Sequence, residues 1–213
     1  STAELDRVAR EYIRARGAEP SCLGYCGYPA SICASVNEVI VHGIPSEDIV
    51  LKEGDIVSID LCAYKNGFHG DGARTFAVGA VSEEKQKLMR VTEECFWKAV
   101  EHLRAGTPLY DIGATVQAHA ESNGFSVVRE YVGHGIGREM HEDPSVPNYG
   151  KRGTGVRLRP GTVICIEPMI AAGARKVTVD EDGWTARMAD GKSAAHYENT
   201  VVVREDGVEI LTI

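Results

Sequence analysis

The chain has 213 residues, with 23 Lys and Arg against 31 Asp and Glu, giving a formal net charge of −8. Hydrophobic residues make up 43% and charged residues 25%, the balance of a globular chain that can bury one sizeable core. No apolar run of about 18 residues is present to span a membrane, no basic-then-apolar opening marks a secretory leader, and the acidic balance argues against nucleic acid as the main partner.

Ser1 to Glu4 reads as a capping box, and Leu5, Val8, Tyr12 and Ile13 follow at helical spacing. Pro20, Gly24, Gly27 and Pro29 mark an irregular loop, and an apolar-rich segment at 36–42 closes at Gly43. Strands are expected at 56–63 and 74–78, the second after turn signals at Gly70 and Gly72. Ser82 is placed to cap a long helix, with Glu83 and Glu84 in its first turn and an apolar stripe of Leu88, Val91, Cys95, Ala99 and Leu103. A second helix opens at Pro108, turns Ile112 and Val116 inward and ends near Gly124. Strands are expected at 126–132, 162–170, 175–179, 198–203 and 208–211, and the glycine-rich stretch 133–155 reads as loop. The six cysteines, at 22, 26, 33, 62, 95 and 165, are irregularly spaced and form no C-x-x-C pair, which points to free thiols in a reducing cytoplasm.

Residues 51–60 repeat at 158–167: Leu, a basic residue, Gly, an apolar strand and a closing carboxylate, Asp60 in one copy and Glu167 in the other. Thr2 to Asp6 resembles Thr107 to Asp111 in the same way. One domain of two related halves follows, at about 1–80 and 81–213, the first without a counterpart of the helix at 82–104.

Side chains alternate along a strand, so Ser58, Asp60 and Cys62 share one face, as do Val163, Cys165, Glu167 and Met169. Asp60 alone fits a solvated face equally well. Glu167 fits one less well, because its face is otherwise apolar and a buried carboxylate must be paired or bind a metal. Two such strands related by the repeat would bring like charges together, and these need a cation between them. Asp71 lies in the glycine-rich Phe68-His-Gly-Asp-Gly stretch, read as a turn. His134 lies between glycines in Gly133-His-Gly-Ile-Gly137, and Glu198 opens an apolar strand. Four carboxylates and one imidazole suit a dinuclear site for Mn, Fe, Co or Zn. His69, His102 and His119 read as structural or exposed, and His196 as a neighbour of the metal region. Lys151, Arg152, Arg157 and Arg159 form a basic cluster, which most simply is a solvated face.

Several ordered stretches carry a resemblance: Asn37 to Pro45, Gly54 to Asp60, Gly67 to Asp71, Val127 to Gly137, Ile166-Glu-Pro-Met169, Asp182-Gly-Trp184-Thr and Tyr197-Glu198. In these the chain resembles the type I methionine aminopeptidases, metallopeptidases of the pita-bread fold. The resemblance implies an α+β fold of two pseudo-symmetric halves, with a central antiparallel sheet and outer helices. It implies removal of N-terminal methionine from nascent proteins when the second residue is small. Two divalent ions (Co, Mn, Fe or Zn) would be held by Asp60 and Asp71, by His134 and Glu167, and by the bridging Glu198, with Asp71 also bridging. Glu167 would shuttle the proton, His141 would contact the substrate carbonyl, and His42 the scissile nitrogen or the residue after it. Tyr25, Tyr28, Cys33, Met140 and Trp184 would form the methionine pocket; without the motifs, that aromatic set reads as ordinary core. The resemblance implies a cytoplasmic monomer with N-terminal Met peptides as partners, and a nascent-chain substrate leaves a transient ribosome contact open as the alternative to a solvated face for the basic cluster.

The family's N-terminal helical segment is absent from this sequence, which is expected to expose apolar surface on the first half. Cys26, Met140 and Asn199 depart from the family's usual residues. Cys62 and Cys165 each lie two residues from a ligand and on its face, so both thiols are expected to border the metal site and make it sensitive to oxidation. Two other readings compete. One is a proline-directed relative, which would carry Arg where His196 stands. The other is a catalytically inactive pita-bread module that binds peptides.

Overall fold

The computed structural model describes residues 1–212. Helix α1 (Thr2–Ala15) is capped as its opening motif predicts, the Ser1 hydroxyl accepting from the Glu4 N–H. Its spaced apolar residues do not all face a core: Ile13 is buried, Leu5 is half-buried, and Val8 and Tyr12 are exposed. A polar residue fastens the helix instead. The buried carboxylate of Asp6 accepts from the Ser31 and Ile32 N–H groups at 2.6 and 3.2 Å and pairs with Arg10 at 2.6 Å.

β1 (Glu19–Pro20) and a 3₁₀ turn (Tyr25–Gly27) fill the irregular loop. The segment at 36–42 folds back between β2 (Cys33–Val36) and β3 (Val39–Val41), with Asn37 at φ 52° in the turn. β4 (Ile56–Lys65) and β5 (Phe68–Ala77) form a ten-pair hairpin, which corrects the expected turn at Gly70 and Gly72. The chain reverses at Asn66 and Gly67, both left-handed at φ 54° and 88°, the pattern that closes a two-residue hairpin. Asp71 therefore stands in mid-strand.

α2 (Glu83–Val100), capped by Ser82, and α3 (Tyr110–Ser122) follow as expected. Leu88, Val91, Cys95, Ala99, Leu103, Ile112 and Val116 are all buried, in one core with Ile56, Ile164, Ile166, Val201 and Val203 of the sheet. β6 (Ser126–Val127) is shorter than the run of apolar residues suggests. The stretch 133–155 is not all loop: β7 (Gly133–Gly135) pairs with β8 (Glu142–Val146). The strand expected at 162–170 is divided into β9 (Val163–Ile166) and β10 (Met169–Ala171). Pro168 lies in the break, and having no N–H it cannot continue a ladder. β11 (Val177–Val179), β12 (Ala186–Met188), β13 (Ala194–His196), β14 (Glu198–Val203) and β15 (Val208–Ile210) complete the chain.

The main antiparallel sheet has the order β1-β4-β5-β14-β9-β7-β8, with β2 on β4 and β15 on β14. β4–β5 and β9–β14 thus flank the central β5–β14 pair symmetrically, as the repeat predicts. Two three-stranded sheets, β13-β10-β6 and β11-β12-β3, complete the α+β pita-bread fold. The helices cover one face of the main sheet, because Ile164, Ile166, Val201 and Val203 point to them, and alternation sends Cys165, Glu198 and Thr200 to the other face. Among the described residues no helix is long and apolar enough to cross a membrane, and all six cysteines are free.

Candidate metal centre

The helix-free face gathers the predicted carboxylates. In β4, Asp60 pairs in register with Ala73 of β5, and Ala73 in turn with Glu198 of β14. Asp71 is two residues before Ala73 and shares its face. Its backbone N–H donates to Thr200 Oγ1 at 2.9 Å, and that hydroxyl donates to the Asp71 carbonyl at 3.0 Å. Glu167 leaves β9 just before Pro168, its carbonyl accepting from Asn148 Nδ2 at 2.8 Å. Arg74 does not neutralise the group: its guanidinium donates to the Glu198 carbonyl at 2.5 Å and lies over the Tyr197 ring.

His134 stands between two glycines for a steric reason. A Cβ on Gly133 would lie 2.3 Å from the Cys165 carbonyl oxygen, and one on Gly135 2.3 Å from that of Asp143. The packed backbones aim the imidazole into the cluster. His134 Nδ1 lies 2.8 Å from the Gly135 carbonyl, which can only accept, so Nδ1 carries the hydrogen and Nε2 keeps its lone pair. Nε2 is 3.6 Å from Glu167 Oε1. His196, 2% exposed, presents Nε2 at 3.6 Å from the other Glu167 oxygen and 4.0 Å from Glu198. Neither ring nitrogen of His196 has a hydrogen-bond partner.

Asp60, Asp71, His134, Glu167, Glu198, His42, His141 and His196 line one cavity of about 140 Å³, with Tyr131 at its edge. A second cavity of about 330 Å³ shares His42, Asp60, Asp71 and His141 with it, and continues between Tyr25, Tyr28, Cys33, Met140 and Trp184. All five expected pocket residues therefore meet beside the carboxylates. Trp184 is set by Asp182, whose carboxylate accepts from the N–H groups of Trp184 and Thr185, and it meets Tyr28 edge-on at 5.1 Å. His141 Nδ1 is 2.8 Å from the Tyr25 hydroxyl, and its ring lies 4.3 Å from that of His134. His42 is held at φ 59°, a strained setting for a non-glycine residue, with its ring against Tyr131 and Trp184.

Burial pushes all four carboxyl groups upward. For Asp71, Asp60 and Glu167 add to the shift; for Glu167, Asp60 does; for Glu198, Asp71, Glu167 and Asp60 do. Burial lowers His42 and His134 to about 4, so both imidazoles are neutral at pH 7. Among the described residues no Lys or Arg pairs with these carboxylates within 4.0 Å. Glu198 Oε1, on a residue 2% exposed, has no hydrogen-bond partner. Clustered buried acids, a neutral imidazole with a free lone pair and an orphaned carboxylate oxygen fit a divalent cation.

The tightest group is not the predicted five. Donor atoms of Asp71, His134, Cys165 and Glu198 lie within 4.8 Å of one another. Asp60 and Glu167 border the same cavity outside that group. Cys62, opposite Asp71 in the β4–β5 register, has its sulfur 3.9 Å from His69 Nδ1 and outside the group as well. His69 and His119 make structural contacts, to Ser21 and Glu94, and His102 is exposed, as expected. Sequence reasoning did not find Cys22 or Tyr131 at the cavities, nor Asp6 as an anchor of α1; Tyr131 and Asp6 lie inside a motif and a repeat that carried no role for them, and Cys22 lies in neither.

The fold and the buried cluster fit a metal-dependent enzyme, and comparison with known proteins gives its class. Residues 1–205 match metallopeptidase family M24. The chain is 54% identical over 213 residues to methionine aminopeptidase of Clostridium acetobutylicum, which spans all of this chain and 85% of that protein. It is 50% identical over 212 residues to methionine aminopeptidase 1 of Bacillus subtilis, with the same coverage. Its structure superposes on methionine aminopeptidase of Thermotoga maritima with a TM-score of 0.98 at 47% identity, over all of this chain and 86% of that one. The chain belongs to metallopeptidase family M24, and the inactive-module alternative has no support.

Proposed function

We propose that this chain is a metal-dependent aminopeptidase that removes N-terminal methionine from nascent proteins with a small second residue. One observation carries the reading: buried carboxylates without a balancing cation adjoin a cavity lined by aromatic and sulfur side chains. An unbranched thioether packs well among such groups, so Tyr25, Tyr28, Cys33, Met140 and Trp184 take the methionine side chain. Asp60, Asp71, His134, Glu167 and Glu198 would hold the divalent ions. Bound divalent ions make water acidic at neutral pH and polarise a carbonyl oxygen. Glu167 takes the proton of the attacking water and passes it to the leaving amine. His141, steadied by Tyr25, contacts the scissile carbonyl oxygen, and neutral His42 the scissile nitrogen or the residue after it.

A nascent-chain substrate is met in the cytoplasm, and the resemblance to the methionine aminopeptidases supports a monomer. The exposed Lys151, Arg152, Arg157 and Arg159 are the surface available for a transient ribosome contact. The test is methionine release, read by mass spectrometry, from Met-Ala-Ser and Met-Lys-Ser peptides with cobalt, manganese, iron or zinc, and with chelator. Release from the alanine peptide alone, abolished by chelator, is expected. Folded protein inactive with every metal would overturn the reading.

A further inference from the structure

Glu198 Oε1 is buried in the cluster without a hydrogen-bond partner, so no polar contact fixes that oxygen and its place is set by the backbone that bears it. That backbone is held from behind. By alternation Glu198 faces the site, whereas Asn199 of β14 and the half-buried Arg74 of β5 lie on the opposite face of the sheet. The Arg74 guanidinium touches three successive residues there. Its carbon lies 4.1 Å from the centre of the Tyr197 ring, Nη1 donates to the Glu198 carbonyl at 2.5 Å, and Nη2 donates to Asn199 Oδ1 at 2.7 Å. Nη1 also donates to the Ala73 carbonyl at 2.8 Å, so one side chain clasps β5 to β14. The register of that central pairing is short, Ala73 with Glu198 and Gly72 with Asn199, and both pairs lie beside the clasp. A guanidinium can only donate, so Asn199 must turn Oδ1 toward it, and the buried Nδ2 is left without a partner.

We propose that Arg74 is a positioning residue for the metal centre: from the far face of the sheet it sets the Glu198 carboxylate, and with it the affinity for metal ions. The proposal rests on the reading of Glu198 as a metal ligand. Groups behind a ligand orient it, and losing one costs roughly 10–100-fold in metal affinity. The geometry calls for arginine in particular. A planar guanidinium directs donors from two nitrogens while its face stacks on the Tyr197 ring; a lysine ammonium is a point charge on a flexible stem and cannot do both. The role is one of shape rather than charge, since among the described residues Arg74 directs its donors to carbonyl and amide oxygens and to no carboxylate.

The experiment is calorimetric titration of the metal-free full chain with cobalt(II), recording the visible spectrum of the bound ion. Arg74→Met and Arg74→Lys should both bind cobalt roughly 10–100-fold more weakly than wild type, and should shift the cobalt absorption bands, which follow ligand geometry. Val116→Ala, which opens a cavity in the helical core on α3, is the control for general loosening. It should lower the unfolding temperature and leave cobalt affinity and spectrum as in wild type. If Arg74→Met does not fold, Arg74→Lys decides alone. Wild-type affinity and spectrum in folded Arg74→Lys overturn the positioning role and leave the metal centre standing, as does an equal loss of affinity in Val116→Ala. A wild-type chain that binds no cobalt overturns both.

Discussion

Asp6→Ala is expected to weaken the fold and the substrate pocket together. Asp6 is 7% exposed and its carboxylate accepts from the Ser31 and Ile32 N–H groups and from Arg10. Alanine leaves two buried N–H groups unpaired, at about 1–3 kcal/mol each. Arg10 keeps its bond to the Ser31 hydroxyl at 2.7 Å and is a third exposed, so its loss adds little. The expected cost is about 2–6 kcal/mol, a large share of the roughly 5–15 kcal/mol typical of a domain. Asp6→Asn keeps an acceptor for both N–H groups and gives up only charge, so it should cost about 1 kcal/mol. Urea unfolding followed by fluorescence measures both. Ser31 and Ile32 lead directly into Cys33 on the pocket wall, so the KM of a methionyl peptide should rise in Asp6→Ala more than kcat falls. Stability of Asp6→Ala within about 0.5 kcal/mol of wild type, or equal losses in the two variants, would refute the argument.

Chelation should make stability strongly pH-dependent. The four clustered carboxyls are raised in the folded state, so the stability they permit is full below the unfolded carboxylate range and is lost as pH rises through their folded values. His42 and His134, lowered to about 4, act in the opposite sense only below the unfolded histidine range. Above that range the Tm of metal-free protein should fall as pH rises toward the folded values of the carboxyls, and saturating cobalt should restore more at the upper end; a flat profile would contradict the clustered-acid account. Glu167→Gln should lower kcat by about 10²–10⁴-fold with a small change in KM, and a loss under about tenfold would remove Glu167 from proton transfer. Trp184→Ala removes the edge contact to Tyr28 and part of the pocket wall. Losing about 1.5–3 kcal/mol of apolar contact should lower kcat/KM by roughly 10–100-fold; an unchanged value would place the methionine side chain elsewhere.

Local signals in the sequence were enough to place Asp60 and Glu167, because a repeat and a two-residue alternation are visible without a partner strand. The same alternation placed Cys62 and Cys165 on the site face. Asp71 was misread as a turn residue, because flanking glycines look like punctuation, whereas the Asn66-Gly67 pair that closes the hairpin is the stronger signal. The apolar spacing of α1 overstated its buried face, since the Asp6 carboxylate and the Thr2 bonds to Ser46 and Ile49 do much of the anchoring. What joins Asp71 to Thr200 spans 129 residues and leaves no local trace. The same holds for the meeting of Cys165 with His134: packing of β7 against β9 brings them together, and neither residue's neighbours announce it.

The central β5–β14 pair has a mechanical consequence. Asp60 and Asp71 belong to one flank of it, and His134, Glu167 and Glu198 to the other. An ion held by both sets would act as a rivet between two leaves of the molecule. A backbone nick at the exposed Gly79–Ala80 link should then go unnoticed while the rivet is in place. The two leaves also share the β5–β14 and β3–β12 pairings and the Ile56 core, so chelation should lower the unfolding temperature of the nicked protein more than that of the intact chain.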